Sequence, residues 1–258
     1  MKGRVLDAKR LRLLRRATVS LFATALAMGH VSTAAAQAKV GAIKGRVRLG
    51  AKSPGNVVIR MGVDPMCAKI NAGKRVIQEA VVTSADGGLA NAFVRVQGMF
   101  PRTPVPTEPV TIDQRGCVYT PRVVGARVGQ TLQVHNGDGL LHNVHSLSAS
   151  SNSFNIGQPL SGMMYKFQLK DEEVVLPLKC DVHRWMTAYI GVVSHPYFAV
   201  SGADGTFEIA NVPVGAYTMQ TWHERYGDLN QPVRVRPGAT TTVDFAYTGA
   251  EKAPTAPR

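Results

Sequence analysis

Short β-type segments separated by turn residues run through the sequence from Lys39 onward, and this rhythm constrains the fold most. The segments are rich in Val, Ile, Thr, Phe and Tyr, whereas Gly, Pro, Asn and Asp lie between them. Examples are IKGRVRL, NAFVRVQ, QTLQVHN, TFEIANV, AYTMQTW and TVDFAYT. No long stretch shows helical periodicity. The pattern therefore predicts an all-β fold built from sandwiches.

The first 38 residues have the order of a secretory signal peptide. Basic residues precede the apolar run ATVSLFATALAMG, and the small-residue stretch STAAAQA follows it. A membrane anchor needs about 20 apolar residues, whereas Gly29, His30 and Ser32 interrupt this run. The sequence thus predicts cleavage after Ala38, a periplasmic mature protein and no stable membrane span after cleavage.

The charge of the mature chain is moderately basic. Residues 1–38 contain seven basic residues and one acidic residue, so the net charge falls from +13 to +7 on cleavage. Such a surplus favours solubility or the attraction of an acidic partner. No basic run is interleaved with aromatic residues, and we therefore expect no nucleic-acid partner.

The chain has three cysteines, Cys67, Cys117 and Cys180, and an odd count in an oxidising compartment needs an explanation. The simplest partition is a disulfide between Cys67 and Cys117, with Cys180 kept as a thiolate by a metal. The alternative, in which Cys67 or Cys117 is buried and free, stays open.

The segment CDVHRWM at 180–186 has the spacing Cys-x2-His-x2-Met and follows the strand candidate EEVVLPLKC. A type 1 copper centre takes a thiolate, two imidazoles and a weak axial thioether. His142 is the candidate for the second imidazole, because His145 would face the opposite side of an extended segment. Zinc also accepts Cys and His, but Met has no part in its usual ligand sets. The predicted ligands of one type 1 copper ion are His142, Cys180, His183 and Met186.

Residues 108–194 resemble a cupredoxin. The likeness consists of an aromatic residue followed by proline, a Gly turn, an Asn and a His-Asn-Val triplet, here Tyr119, Pro121, Gly129, Asn136 and residues 142–144. The ligand loop resembles the short loops of the amicyanin type. This resemblance implies a Greek-key sandwich, and it implies that Asn143 ties the two ligand-bearing loops together by hydrogen bonds. An ordinary turn asparagine is the alternative.

A second resemblance covers GAIKGRVRL near the start, LANAFVRVQG at 89–98 and SGADGTFEIANVPVGAYTMQTWHE at 201–224. These segments are similar to a transthyretin-like or carboxypeptidase-regulatory sandwich. Because they flank the cupredoxin-like stretch, an inserted copper domain is expected, although tandem domains or one extended sandwich leave similar traces. The expected boundaries are a signal peptide at 1–38, a discontinuous sandwich at 39–100 and 195–248, a copper domain at 101–194 and a disordered tail at 249–258.

The whole arrangement resembles bacterial proteins labelled as methylamine utilisation proteins. The resemblance to cupredoxins implies a one-electron carrier and not an enzyme, with a periplasmic redox partner such as a cytochrome or dehydrogenase. The alternative is an extracytoplasmic binding or scaffold protein, whose transthyretin-like domain recognises carbohydrate or protein and whose copper is structural or vestigial. Copper delivery is a third, weaker possibility. Two placements are open for three apolar residues near the loop, Trp185, Leu140 and Leu141. They either surround an exposed edge of His183, from which electrons would leave, or are buried.

Overall fold

The structure, a computed structural model, describes residues 40–252, and strands account for nearly all of its regular secondary structure. The strands are β1 (Val40–Leu49), β2 (Phe93–Gln97), β3 (Val110–Gln114), β4 (Tyr119–Thr120), β5 (Val123–Arg127), β6 (Thr131–Asn136), β7 (His142–Ser146), β8 (Asn155–Gln158), β9 (Met164–Gln168), β10 (Glu173–Lys179), β11 (Thr187–Val193), β12 (Phe198–Val200), β13 (Thr206–Pro213), β14 (Gly215–His223), β15 (Gly227–Val235), β16 (Thr240–Thr242) and β17 (Phe245–Tyr247). The helical pieces in this range are a 3-10 turn, Met61–Val63, and α1, Pro65–Ile70. The prediction of an all-β fold is confirmed.

The predicted signal peptide lies outside the described residues, as do residues 253–258 of the predicted tail. Where the structure describes the start of that tail, the Glu251 carboxylate accepts hydrogen bonds from the N–H groups of Thr248 and Gly249. None of the described helices is long and apolar enough to cross a membrane.

Strands from the two ends of the described chain form a first pair of sheets. One sheet has the order β13-β1-β16, with β17 also on β1, and the other has the order β12-β2-β14-β15. Apolar side chains of both sheets share one core, to which Ile43, Val94, Ile209, Val233 and Phe245 belong. The two sheets therefore make one sandwich, named here the outer sandwich.

Strands β3 to β11 form a second pair of sheets. Their orders are β5-β11-β10-β7-β8 and β4-β3-β6-β9. Both sheets contribute to a second core that includes Ile112, Leu132, Val144, Leu176 and Ile190. This pair is named the inner sandwich. Alternation decides which side chains enter its core: along β6 the residues Leu132, Val134 and Asn136 are buried, and their neighbours are less so.

Residues 57–78, between β1 and β2, form a cap segment that contains the 3-10 turn and α1. The sequence pattern predicted that this stretch belongs to the outer sandwich. In the structure Met61 and Cys67 lie in the core of the inner sandwich, and Ile59 and Val76 pack against it. The cap segment thus contacts the inner sandwich because its apolar side chains are buried there. The predicted domain boundaries themselves stay a prediction.

A small apolar cluster and two ion pairs join the two sandwiches; one pair is Arg95 with Glu172, and the more buried pair is Arg122 with Glu224. Phe93, Val123 and Val193 pack together between them. Beside this cluster, Arg122 precedes β5 of the inner sandwich, and Glu224 follows β14 of the outer one. The Arg122 Nε and Nη2 each donate to a carboxylate oxygen of Glu224 at 2.7 Å, and the two side chains are 11% and 8% exposed. Glu224 is therefore a structural partner of Arg122.

The Arg122–Glu224 pair generates a stability prediction. Glu224→Gln should lower the free energy of unfolding by about 3–5 kcal/mol, because it leaves the Arg122 guanidinium buried without its counter-charge. Chemical denaturation measures the change. A matched control is Glu208→Gln, since Glu208 pairs with Lys44 at the surface, where both side chains are 54% exposed; its cost should stay below about 1 kcal/mol. Equal effects of the two substitutions would contradict the role of the buried pair.

Candidate metal site

Three predicted ligands, His142, Cys180 and His183, converge at one end of the inner sandwich. Their donor atoms all lie within 4.8 Å of one another. The two imidazole Nδ1 atoms are 3.1 Å apart, and the Cys180 Sγ lies 3.8 Å from the His183 Nδ1. The three side chains are at most 1% exposed. Two nitrogens and one sulfur therefore face a common point that is shielded from water.

The loop at 180–186 is closed by its own backbone. It connects β10 to β11, which pair antiparallel with Lys179 opposite Thr187. The Cys180 N–H donates to the Met186 carbonyl at 3.1 Å, and the Met186 N–H donates to the His183 carbonyl at 2.8 Å. The spacing Cys-x2-His-x2-Met therefore fits one tight turn, which returns the chain to the sheet directly after Met186.

The register of the neighbouring strand brings His142 to this loop. Strand β7 pairs with β10 through His145 and Lys179, so its first residue lies near the end of β10. Along β7 the side chains of His142, Val144 and Ser146 are buried, and those between them are less buried. His145 points the other way and contacts the Asp181 carboxylate at 2.9 Å. Strand alternation thus separates His142 from His145.

Asn143 follows His142 in β7 and contacts the loop at 180–186. Its backbone N–H donates to the Cys180 Sγ at 3.4 Å, and its Oδ1 accepts the Asp181 N–H at 3.0 Å. The Tyr119 O–H donates to the Asn143 carbonyl at 2.6 Å. These bonds fix the position of β7 relative to the loop at 180–186.

A carboxylate faces the outer nitrogen of each imidazole. The Asp138 Oδ2 lies 2.9 Å from the His142 Nε2, and the Asp64 Oδ2 lies 3.1 Å from the His183 Nε2. A carboxylate only accepts hydrogen bonds, so we assign the imidazole proton to Nε2 in both residues. The Nδ1 lone pairs then point to the common centre, as metal coordination requires.

No pattern in the sequence indicated that either carboxylate belongs to the site. Asp138 lies in the turn sequence NGDG at 136–139, four residues before His142, and this spacing is its only local signal. Asp64 is 119 residues from its partner His183. Its local signal is that it precedes Pro65 and caps α1, a pattern that indicates a helix start and no metal site.

The electrostatics of the site favour a thiolate at Cys180. Burial alone would raise the pKa of the Cys180 thiol, but hydrogen bonds from His142 and His183 in their protonated form, and from the backbone amides, outweigh it and lower that pKa to about 6. Burial alone would also lower the pKa of both imidazoles. Contacts of His142 with Asp138 and Cys180, and of His183 with Cys180 and Asp64, hold these pKa values above their usual range.

Two other groups of acidic, Cys and His side chains lie close enough to suggest a metal, but they cannot offer a thiolate. They contain Cys67 and Cys117 respectively, which are joined to each other by a disulfide. Cys180 is the free cysteine and is buried. Within the described residues, His142, Cys180 and His183 are therefore the set with an available thiol.

Met186 is buried, with 1% of its surface exposed, and packs in the core of the inner sandwich. Its position at the end of the closed turn is compatible with an axial donor, and its coordination stays a prediction. The chemistry of the complete set, one thiolate, two imidazoles and one thioether, fits copper.

His183 has no exposed edge. The side chain is 1% exposed, and the Cys67 Sγ of the disulfide lies 3.4 Å from its Nε2. The Trp185 ring lies 5.1 Å from the His183 ring, and its Nε1–H donates to the Cys117 carbonyl. Of the two apolar neighbours considered from the sequence, Leu140 is buried, and Leu141 is 47% exposed. The cap segment, and not solvent, therefore borders His183.

Comparisons with known proteins give partial structural likenesses. No known protein family matches the sequence, and no curated protein matches it. A Cu-containing nitrite reductase from Thermus scotoductus is 19% identical with a TM-score of 0.29, over 36% of this chain and 25% of the reductase, so this chain spans about a quarter of that protein.

Two smaller proteins match over nearly their whole length. A purple cupredoxin from Nitrosopumilus maritimus is 23% identical with a TM-score of 0.27, over 32% of this chain and 97% of that one. An amicyanin variant in its Cu(I) form is 16% identical with a TM-score of 0.30, over 38% of this chain and 97% of that one. Because these three TM-scores are 0.30 or lower, the proposed function rests on the side-chain geometry of the site.

The lowered pKa of Cys180 predicts a titration in the metal-free protein. The ultraviolet absorbance of the thiolate should rise with a midpoint near pH 6, well below the ordinary value of about 8.5. The Cys180→Ser variant serves as the control and should lack the transition, since the other two cysteines are in a disulfide. A midpoint near the ordinary value would show that the imidazoles do not stabilise the thiolate.

Proposed function

We propose that this protein binds one copper ion as a type 1 site and carries single electrons in the periplasm. The observation that carries the proposal is the buried convergence of His142, Cys180 and His183, with donor atoms within 4.8 Å of one another. Met186 completes the proposed ligand set. Bound copper would supply a couple that exchanges one electron.

The residues of the chain hold the donors in place before any metal binds. The closed turn at 180–186 fixes Cys180 and His183, and Asn143 links that turn to β7. Rigid donors favour fast electron exchange, because little has to move between the two oxidation states. The lowered pKa of Cys180 keeps the sulfur in the form that coordinates a metal.

The surroundings of the donors support electron transfer as the proposed role. The donors are at most 1% exposed, and the cap segment covers the outer side of His183, so a substrate has no direct path to the metal position. A catalytic copper centre instead needs an open coordination position. We therefore propose a carrier and not an enzyme.

Trp185 is the proposed route between the site and a partner. Its ring contacts that of His183, and it lines a cleft of about 520 Å³ together with Tyr119 and Met186. A periplasmic redox protein, such as a cytochrome or dehydrogenase, would exchange electrons at this opening.

Copper titration tests the proposal. Adding Cu(II) to the metal-free protein should produce one intense visible absorption band, which arises from the bond between sulfur and metal, with one equivalent of copper bound. Cys180→Ser should abolish the band, because it removes the thiolate. Met186→Leu should keep the band and raise the reduction potential, because it removes the proposed axial donor.

The matched control is His145→Ala, which removes a histidine of β7 that faces away from the site and should leave the band unchanged. Bound copper without a visible band, or copper that cannot be reduced and reoxidised reversibly, would contradict the carrier. The second outcome would favour a scaffold protein with a structural metal.

A further inference from the structure

We propose that Asp64, in the cap segment, is a positioning residue that holds the His183 imidazole with Nδ1 directed at the metal. The cap segment would then belong to the metal site, although it lies outside the stretch that resembles a cupredoxin. The inference rests on the proposed function, because it concerns the same site.

The two carboxylate oxygens of Asp64 contact different groups: one accepts from the backbone of α1, and the other faces the proposed ligand His183. Its Oδ1 accepts the N–H groups of Met66 at 2.8 Å and of Cys67 at 3.0 Å, and so caps α1. Its Oδ2 lies 3.1 Å from the His183 Nε2. Because the helix cap fixes Oδ1, the direction of Oδ2 is also fixed, and Asp64 offers an acceptor at one defined point.

The helix that carries Asp64 is anchored to the inner sandwich beside the site. The disulfide joins Cys67 of α1 to Cys117. The Asn71 side chain, at the end of α1, donates to the carbonyl groups of Cys67 and Gly116 at 2.9 and 3.0 Å. Asp64 therefore cannot move away from His183 without displacing a covalently attached helix.

The same disulfide connects the two carboxylates that face the imidazoles. The backbone N–H groups of Gly116 and Cys117 donate to the two oxygens of Asp138 at 2.8 Å. Asp138 in turn contacts the His142 Nε2. One continuous chain of bonds thus runs from Asp64 through the disulfide to Asp138, and it sets the orientation of both imidazoles.

An imidazole on a short loop needs such a partner, because either ring nitrogen can carry its proton. A proton on Nδ1 would block coordination from that atom. An acceptor at Nε2 favours the Nε2–H tautomer, leaves Nδ1 free and increases its basicity as a ligand. The Nδ1 of His183 is the atom that lies 3.1 Å from the His142 Nδ1.

Asp64→Asn is the decisive substitution. Asn caps helices as well as Asp does, so the amide oxygen can keep the bonds of Oδ1, while an NH₂ donor replaces the acceptor Oδ2. In metal-free protein at alkaline pH, ¹⁵N NMR of the imidazoles should show the Nε2–H tautomer of His183 in the wild type. The variant should shift that ring towards Nδ1–H, and its affinity for copper should fall by about 10- to 100-fold.

Asp113→Asn is the matched control. Asp113 contacts the imidazole of His135 at 2.9 Å, and His135 is not among the proposed ligands. This variant should change neither the tautomer of His183 nor the copper affinity. If Asp64→Asn lowers the melting temperature, Asp64→Ser keeps a capping oxygen with a side chain too short for His183, and the same tautomer measurement is made on it.

An unchanged tautomer of His183 together with wild-type copper affinity in the folded Asp64 variants would overturn the inference. The two proposals fail separately. If the wild type shows no visible copper band, the carrier is refuted, and the NMR measurement still decides whether Asp64 sets the tautomer. If the wild type shows the band and the variants match it, only the positioning role is refuted.

Discussion

The structure depends on burying a thiol and two imidazoles inside an apolar core. Polar groups removed from water are costly unless each finds a partner. Here the outer nitrogen of each imidazole faces a carboxylate, and two backbone amides approach the sulfur. The inward sides of the three groups face one another, and this is the side that a metal would use. The surrounding strands and turns supply these partners at fixed positions.

The cap segment shields the His183 side of the candidate metal site from solvent. The Nε2 side of His183 is contacted by Asp64 and by the Cys67 sulfur, both of the cap segment. In this protein α1 and the disulfide cover it, and its side chain is 1% exposed. One short helix, attached through Cys67, thus both protects the imidazole from water and fixes its direction. Trp185 packs against His183 and also lines the cleft.

The two sandwiches are held together by contacts of a different kind. A small apolar cluster around Phe93 and the ion pair between Arg122 and Glu224 lie between them. The pair lies next to the inner sandwich strand β5, and the Arg122 Nη2 also donates to Thr187, which directly follows Met186. The outer sandwich is therefore linked mechanically to the end of the ligand loop.

Local sequence patterns were sufficient for much of this description. Strand segments followed from residue types and turn residues, and alternation along β7 distinguished His142 from His145, because side-chain direction in a strand follows from position alone. The spacing in CDVHRWM placed three candidate ligands in one short loop, because only two residues separate each candidate from the next. The sequence by itself thus determined the all-β class and nominated the ligands.

Only the tertiary structure decided what surrounds those ligands. Asp64 lies 119 residues from His183, and Arg122 lies 102 residues from Glu224. The local sequence around Asp64 indicates only a helix start before Pro65, and residues 57–78 were predicted to belong to the outer sandwich. Contacts over such separations depend on which sheets pack together and on where a covalent link pins a loop, and neither is encoded in the periodicity of a short segment.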